Sequence, residues 1–255
     1  MTLIDVGGLP TWYAEYGDGD PLVYLHGGFS SSRELTPVRE AYAERFHVFT
    51  PDRRGHGHTP DVPGPFSYER YAEDAVAFLD EVVGGPAHLV GYSDGAITAL
   101  LVGLARPDLV RRMVLISGQF HQSGLIPAFF HGPDAVAELQ ESVLGAWDAE
   151  DSPDGGEHFP VVAAKIIESA LTGPTLAAEQ LAGVPARTLV LSGDDDAVTL
   201  EHTIEMYRSL PEAELAVVPG TSHVLVMEKP ALVTQLVLDF LTSDAVPTIM
   251  PIRRA

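Results

Sequence analysis

Cysteine is absent from the 255 residues of this chain. The absence excludes disulfides, thiolate metal sites and a cysteine nucleophile, and it fits a reducing compartment. No basic region precedes an apolar run near the N-terminus, so we expect no signal peptide. No charge-free apolar stretch reaches the roughly 18 residues that a membrane-spanning helix needs, so we expect no such helix. These absences together predict a cytoplasmic protein.

Basic residues are also scarce, since 15 Lys and Arg stand against 36 Asp and Glu, for a formal charge of -21. A negative field repels phosphate backbones and anionic lipid headgroups, so we predict neither nucleic-acid nor membrane partners. The charge keeps such a protein soluble, and attraction of a cationic substrate is the alternative interpretation. We expect a small-molecule substrate as the partner, and a monomer or small homo-oligomer as the assembly.

Hydrophobic residues, at 45% of the chain, are numerous enough to fill the core of one large domain. An alternating segment at 11–16 predicts a strand. Short apolar runs, typical of strands buried on both faces, occur at 22–25, 47–50, 88–91, 113–116, 188–191 and 214–218. Segments with helical periodicity lie at 33–45, 68–83, 96–105, 199–210 and 231–241. The alternation predicts an α/β fold, with a mainly parallel central sheet and helices on both of its faces.

The alternation of strands and helices is interrupted in the second half of the chain. The interruption contains two predicted helices, at 134–147 and 159–171, which we interpret as a small helical cap. Beyond the last predicted helix, two prolines and two arginines indicate a poorly ordered C-terminal tail. We therefore divide the chain into an α/β core at 1–118 and 184–242, a helical cap at 119–183 and a tail at 243–255.

The segment GYSDG at 91–95 follows a predicted strand and precedes a predicted helix. A strand that turns this sharply into a helix holds the central serine in a strained conformation, and it accepts only small neighbours such as Gly91 and Gly95. The turn also lifts the hydroxyl to a helix N-terminus, where partial positive charge favours a developing anion. We predict that Ser93 is a nucleophile, with an ordinary glycine-rich turn as the alternative.

The segment HGGF at 26–29 ends an earlier predicted strand. Glycines there allow backbone N–H groups to face an incoming carbonyl oxygen. The N–H of Asp94 would be one donor, and that of Gly28 or Phe29 the second. Such donors form an oxyanion hole, in which each is worth about 3 to 4 kcal/mol of transition-state stabilisation. A simple glycine turn is the alternative.

A serine nucleophile needs a base, and the base needs a group that orients it. His223 stands out among the ten histidines because it lies in a loop directly after a predicted strand. An imidazole titrates near neutrality and so serves as both base and acid. Three adjacent carboxylates, Asp194, Asp195 and Asp196, follow another predicted strand, and the residues alone do not decide between them.

Five motifs in this order resemble the α/β-hydrolase superfamily: HGG, DRRGHG at 52–57, GYSDG, GDDD at 193–196 and GTSH at 220–223. The resemblance extends over nearly the whole chain outside the cap and tail. It implies His223 as the base and Asp196 as the acid, with Asp195 as the alternative acid. The order Ser, Asp, His is that of this fold. The DRRGHG segment resembles a structural loop near the active site, in which arginine and aspartate pair.

The resemblance also implies a function: a serine hydrolase that cleaves a small carboxylic ester or lactone through an acyl-enzyme on Ser93. Hydrolases of carbon–carbon bonds and perhydrolases use the same three groups and remain alternatives, because a fold does not specify a substrate. A hydrolase-like receptor that holds a ligand without turning it over is the alternative outside enzymes. No cofactor is expected, and no metal, because no ligands at H-E-x-x-H spacing accompany His56 and His58.

The predicted cap is rich in aromatic side chains. We expect some of them to line an acyl pocket with residues of the oxyanion and histidine loops, namely Phe29, Phe120, Phe129, Phe130, Trp147 and Val224. Core packing between cap and body is their alternative role. A covered pocket would favour short to medium acyl esters or compact rings over long triglycerides, whereas a cap that only shields core would leave a wide cleft.

Overall fold

One mixed sheet organises the chain. The computed structural model describes residues 2–126, 135–245 and 248–249. Its strands are β1 (Thr2–Val6), β2 (Leu9–Tyr16), β3 (Asp20–Leu25), β4 (Phe46–Pro51), β5 (Ala87–Tyr92), β6 (Val110–Ile116), β7 (Arg187–Asp195) and β8 (Ala213–Ser222). Within the described residues, these eight strands form a single sheet in the order β1-β2-β4-β3-β5-β6-β7-β8. β2 runs antiparallel to both of its neighbours, β1 and β4, and the other neighbouring strands are parallel, which confirms the predicted mainly parallel sheet.

Helices cover both faces of this sheet. They are α1 (Arg39–Ala43), α2 (Tyr68–Phe78), α3 (Asp94–Ala105), α4 (Ala135–Gln140), α5 (Val143–Asp151), α6 (Phe159–Thr172), α7 (Leu200–Ser209), α8 (Leu225–Glu228) and α9 (Pro230–Thr242). Because neighbouring side chains of a strand face opposite sides, Leu89 and Val90 of β5 belong to different hydrophobic clusters. Leu89 shares its cluster with residues of α2 and α3, and Val90 with residues of α9. The α/β architecture predicted from the sequence is therefore confirmed.

Two segments predicted as single helices are interrupted. The segment at 33–45 forms a short 3-10 turn at Ser32–Leu35 and then α1. Pro37 lies between them, and a proline in a helix interior removes a hydrogen bond and clashes with the preceding turn. The segment predicted at 134–147 forms α4 and α5, because Ser142 Oγ accepts from Leu144 N at 3.1 Å and caps a new helix.

Helices α4, α5 and α6 lie between β6 and β7, in the interval for which a cap was predicted. On α6, Val162 and Ile166 pack against Ile97 of α3 and against three aromatic residues, Phe66, Tyr68 and Tyr71. This contact places α6 over the start of α3, beside the turn that carries Ser93.

Parts of the cap and tail predictions lie outside the described residues, namely 127–134, 246–247 and 250–255. The last described helix, α9, ends at Thr242, one residue before the predicted tail begins. None of the described helices is long and apolar enough to cross a membrane.

Candidate active site

The turn from β5 into α3 holds Ser93 in a strained backbone conformation. Its φ of 51° and ψ of -118° lie in a region that side chains other than glycine rarely adopt. The turn is so tight that a Cβ on Gly91 would lie 2.3 Å from Gly95 O, and one on Gly95 would lie 1.9 Å from Leu25 O. Both positions therefore require glycine, which is the packing that the GYSDG pattern predicts.

Three side chains at the carboxyl ends of three strands form a hydrogen-bonded row. Ser93 follows β5, Asp196 follows β7 and His223 follows β8. Ser93 Oγ lies 2.9 Å from His223 Nε2, and His223 Nδ1 lies 2.7 Å from Asp196 Oδ1. A proton on Nδ1, directed at the carboxylate, leaves Nε2 as the acceptor for the serine hydroxyl. The structure thus brings together the residues predicted as nucleophile, acid and base, in an arrangement that can activate a serine.

The Asp196 carboxylate is held on both of its oxygens. Its side chain is 0% exposed, and Oδ1 faces His223. Oδ2 accepts from Ser117 Oγ at 2.5 Å and from Ser192 Oγ at 3.3 Å. Burial by itself raises the pKa of Asp196, but the hydrogen bond and charge interaction with His223, together with the bond from Ser117, lower it overall. The carboxylate therefore stays ionised beside the imidazole.

The two neighbouring aspartates are exposed and take other positions. Asp194 Oδ1 accepts from Thr221 N at 3.0 Å, so it braces the loop that leads to His223. Asp195 is paired through the sheet with Ser222 at the ends of β7 and β8. Of the three adjacent carboxylates, Asp196 is therefore the one whose side chain bonds to the imidazole.

Two further residues, which were not predicted from the sequence, hold the His223 loop. The Tyr92 hydroxyl donates to His223 O at 3.1 Å. The Glu228 carboxylate accepts from Ser222 N at 2.7 Å and from Ser222 Oγ at 3.0 Å. Tyr92 lies inside the GYSDG motif, so its position next to the nucleophile was a usable signal. Glu228 belongs to no motif, and only the folded chain shows its contact.

The HGGF segment at the end of β3 lies against the first turn of α3. Phe29 has a positive φ of 58°, and a Cβ on Gly28 would lie 2.7 Å from Asp94 Oδ2. Gly28, Phe29 and Asp94 thus meet beside Ser93, at a helix N-terminus, where the first N–H groups have no acceptor within the helix. Their assignment as oxyanion donors is a proposal that this placement supports.

His26 and Arg53 support the same segment from the interior. Burial, and the nearby charge of Arg53, lower the pKa of His26 well below its ordinary value, so the ring is neutral. His26 Nδ1 donates to Gly27 O at 2.8 Å, and Nε2 accepts from Arg53 N at 3.1 Å. The neutral ring therefore joins the HGGF segment to the DRRGHG segment.

The DRRGHG segment pairs its charged groups as the resemblance implied. Arg54 donates two hydrogen bonds to Asp74 of α2, at 2.7 and 2.6 Å. Asp52 accepts from Ser32 N at 2.7 Å and from His58 Nδ1 at 3.0 Å. Over the part of the chain that the structure describes, no three His, Asp or Glu side chains are grouped to hold a metal ion.

The side chains predicted to line the pocket have different surroundings. Phe29 and Trp147 line a small cavity of about 10 Å³, together with Phe159, Val162 and Ile166. Val224 is 40% exposed and lies just before α8. Phe129 and Phe130 lie outside the described residues.

The structure corrects the prediction for Phe120. Its side chain is 4% exposed and belongs to the largest hydrophobic cluster. The ring stacks on His202, with ring centroids 4.0 Å apart. Phe120 therefore packs in the core, which was the alternative role, because a flat stacking partner and the sheet residues enclose it.

An open groove of about 440 Å³ lies beside the site and was not predicted from the sequence. Its lining residues are Arg33, Glu34, Thr36, Pro37, Trp147, Val226, Met227 and Pro230. Val226 and Met227 follow His223 in α8, and Glu34 accepts from the backbone of the HGGF segment. A larger groove of about 600 Å³ lies between α1 and α9, and the described residues that line it include none of the hydrogen-bonded row. The residues that line the groove at Trp147 do not include the row either, but this groove adjoins the HGGF segment through Glu34.

Comparisons with known proteins place the chain in a family. The model of the alpha/beta hydrolase family matches residues 22–236. A sn-1-specific diacylglycerol lipase from Mus musculus is 30% identical over 88% of this chain and 83% of its own length. An (E)-2-((N-methylformamido)methylene)succinate hydrolase from Acinetobacter baylyi is 25% identical over 88% of this chain and 90% of its own length.

The fold agrees with that of a solved enzyme. The crystal structure of the enol-lactonase from Burkholderia xenovorans superimposes with a TM-score of 0.78, at 22% identity. The superposition covers 95% of this chain and 100% of the lactonase. Because the family model matches most of the chain and the fold agrees with it, the protein belongs to the α/β-hydrolase family of hydrolases.

Proposed function

We propose that the protein is a serine hydrolase that cleaves a small carboxylic ester or lactone through an acyl-enzyme on Ser93. The observation that carries this proposal is the continuous row from Ser93 through His223 to the buried carboxylate of Asp196. A lipase and a lactonase among the relatives support the choice of bond.

Acylation begins when Ser93 Oγ attacks the substrate carbonyl carbon and its proton passes to His223 Nε2. The carbonyl oxygen takes up the negative charge, which backbone N–H groups of Asp94 and of the HGGF segment would stabilise. Ionised Asp196 stabilises the imidazolium and maintains its tautomer. When the tetrahedral intermediate collapses, the bond to the leaving alkoxide breaks and His223 gives that oxygen its proton.

Deacylation repeats these steps with water as the nucleophile. His223 Nε2 takes a proton from water while the water oxygen adds to the acyl carbon. The bond to Ser93 Oγ then breaks, and the imidazolium returns the proton to the serine oxygen. The products are a carboxylic acid and an alcohol, or a single hydroxy acid when the substrate is a lactone.

The same row would also serve a carbon–carbon bond hydrolase or a perhydrolase. In the cleavage of a diketone the leaving group is a carbanion, so the proton must be delivered to carbon. An ester leaves as an alkoxide, which takes its proton directly from His223, so ester cleavage makes fewer demands on the site. A receptor without turnover has no need for a buried, ionised acid bonded to a histidine that in turn faces a serine.

The space beside the row supports substrates of modest size. The small cavity at Phe29 and Trp147 is about 10 Å³, whereas the neighbouring groove is about 440 Å³. A groove of this volume lies within the range of small-molecule sites. We expect short to medium acyl esters, or lactones, to be turned over faster than long triglycerides.

Active-site labelling combined with a substrate panel tests the proposal. The wild type, Ser93→Ala and Ser209→Ala are treated with a fluorophosphonate, and the labelled peptide is identified by mass spectrometry. Ser209, at the end of α7, is the matched control. The same proteins are assayed with p-nitrophenyl esters of increasing acyl length, small lactones, an unsaturated diketone and emulsified triolein.

We expect the label on Ser93, with fast turnover of short esters or lactones, in the wild type and in Ser209→Ala. Both are lost in Ser93→Ala. Cleavage of the diketone without ester turnover would favour the carbon–carbon alternative. Labelling without turnover of any substrate would favour the receptor.

A further inference from the structure

The HGGF segment is held at Gly27 by two side chains of opposite charge. Gly27 N donates to Glu34 Oε2 at 3.2 Å, and Gly27 O accepts from Arg53 Nη2 at 2.8 Å. A Cβ on Gly27 would lie 2.8 Å from the Tyr92 ring, so the peptide also has no room toward β5. Gly27 is thus held at its N–H, at its carbonyl and on the side of the sheet.

Glu34 is half-buried, and one of its carboxylate oxygens, Oε2, is the acceptor for Gly27 N. Its second oxygen, Oε1, accepts from the Tyr24 hydroxyl at 2.6 Å. The titratable and charged groups that face this carboxylate are Tyr24 from β3, Tyr92 from β5 and Arg53 from the loop after β4. The neighbouring Arg33 instead pairs with two carboxylates at the end of α5, Glu150 and Asp151.

The ionisation of Glu34 falls in the physiological range. Burial raises the pKa of its carboxyl to about 7, even though the bonds from Tyr24 and Gly27 and the charge of Arg53 lower it. Near neutrality the side chain therefore changes between an acid and a carboxylate. The carboxylate accepts both bonds with charge assistance, which makes each about twice as strong as a neutral hydrogen bond.

We propose that Glu34 is a positioning residue that fixes the oxyanion loop through Gly27 and makes acyl transfer depend on its own ionisation. The inference rests on the proposed function, because it concerns the rate at which Ser93 is acylated. Oxyanion donors stabilise a transition state only when they stay about 2.7 to 3.1 Å from the developing charge. A loop held less firmly at Gly27 lets the following peptide groups leave that range.

Arg53 offsets the negative charge of ionised Glu34. It binds the carbonyl oxygen of Gly27, on the other side of the residue from Glu34, and carries the opposite charge. Ionisation of Glu34 therefore tightens the hold on Gly27 and leaves the pair with Arg53 neutral. We expect kcat to rise as Glu34 loses its proton, in a step separate from the requirement for a neutral His223.

The pH dependence of ester hydrolysis tests the inference with three variants. Glu34→Gln keeps the shape and removes the ionisation. Tyr24→Phe removes a hydrogen bond that favours the ionised form, so it should move the ionisation to higher pH. Glu44→Gln, an exposed position at the end of α1, is the matched control. Values of kcat and KM are measured with p-nitrophenyl butyrate between about pH 5.5 and 9.

The wild type and Glu44→Gln should show an ionisation near pH 7 that Glu34→Gln lacks. At pH 8.5 the kcat of Glu34→Gln should be lower on the order of three- to tenfold, with little change in KM, and at pH 6 it should approach the wild type. Tyr24→Phe should retain the ionisation at a higher pH. A Glu34→Gln profile that parallels the wild type, or a downward shift in Tyr24→Phe, would overturn the inference.

A readout without turnover separates this inference from the proposed function. In the folded Ser93→Ala protein, the Gly27 amide resonance should shift with a midpoint near pH 7, and the shift should disappear when Glu34→Gln is added. If the wild type hydrolyses neither esters nor lactones, the proposed function fails. The amide titration then decides alone whether Glu34 holds Gly27, and an amide unaffected by pH would overturn that hold.

Discussion

Ser117 Oγ donates to Asp196 Oδ2 at 2.5 Å, on the carboxylate oxygen that does not face His223. Ser117 lies directly after β6 and has a positive φ of 51°, a conformation that costs energy in a residue other than glycine. The neighbouring strands β6, β7 and β8 thus each contribute one group to the same hydrogen-bonded chain. Ser117 thus orients Asp196, and Asp196 orients His223.

Ser117→Ala should therefore impair the function of the Asp196 carboxylate without removing the carboxylate. The hydrogen bond from Ser117 lowers the pKa of Asp196, so the variant should have a higher pKa at this carboxyl. On acidification, the variant should therefore begin to lose activity at a higher pH than the wild type. We expect kcat to fall on the order of tenfold. Ser192→Ala, which removes a longer bond to the same oxygen, is the control and should have a smaller effect. Equal losses in the two variants would count against this role.

The three adjacent aspartates should differ strongly in their effect on activity. Asp196→Asn keeps the shape but no longer stabilises the imidazolium, so kcat should fall by about 10⁴-fold. Asp194→Asn weakens the brace on Thr221 and should cost severalfold, and the exposed Asp195→Asn should be close to wild type. Assays of the three variants with one p-nitrophenyl ester decide the order. A larger loss in Asp195→Asn than in Asp196→Asn would be contrary to the structure.

Gly95→Ala should destabilise the fold through a backbone clash. Its Cβ would lie 1.9 Å from Leu25 O, and strand and helix cannot separate without breaking the turn. We expect a loss of about 3 kcal/mol or more in the free energy of unfolding, above the usual range for overpacking. Gly84→Ala is the control, because its φ is +77° but no atom lies within 4 Å. It should cost only about 1 to 2 kcal/mol, from backbone strain. Urea unfolding of both variants measures the difference.

Buried histidines should make the fold less stable in acid. Burial lowers the pKa of His56 to about 3 and those of His88 and His202 to about 4, against an ordinary value of 6.5. Below about pH 6.5 the unfolded chain binds protons that the folded chain does not, so their contribution to stability is lost as the pH falls. Each group contributes at most about 1.4 kcal/mol per pH unit.

His56→Gln should accordingly flatten the fall in stability between about pH 6.5 and 4. The raised pKa of Glu34 has the opposite effect, because its protonation stabilises the folded chain as the pH falls. Glu34→Gln should therefore make the fall in stability steeper. Urea unfolding at several pH values compares the slopes of the two variants with the wild type. Three parallel slopes would show that these groups are not coupled to folding.

Much of the fold could be predicted because apolar runs report burial on both faces of a parallel strand. The breaks within predicted helices were harder to locate. The segment at 33–45 has helical periodicity, but Pro37 divides it, and local periodicity does not show which half continues as a helix. β1 was also missed, because a short edge strand beside a glycine turn carries little periodic signal and is defined by its pairing with β2.

The candidate site was predictable where a motif constrains the backbone. Ser93 stands in a turn that demands glycine on both sides, and that demand is visible in the sequence. The choice of Asp196 over Asp195 depends on a shift of register between Gly193 and Asp195 at the end of β7. Such a shift changes which side chain faces the histidine, and composition does not locate it.

Partners that are distant in sequence left no signal. Ser117 reaches Asp196 across 79 residues, and Glu34 is one acidic residue among many on a strongly negative chain. Their contacts arise only when the strand ends are assembled. Phe120 was assigned to the pocket for a related reason, since an aromatic residue at a cap boundary can face either the core or the site.

The most direct measurement is to trap the acyl group itself. The wild type is mixed with a p-nitrophenyl ester whose acyl-enzyme hydrolyses slowly. The mixture is quenched in acid, and the protein is digested for mass spectrometry. We expect the mass of the acyl group on the peptide that contains Ser93, together with a burst of p-nitrophenol, and neither in folded Ser93→Ala. An acyl group on another residue, or hydrolysis by Ser93→Ala at the wild-type rate, would contradict an acyl-enzyme on Ser93.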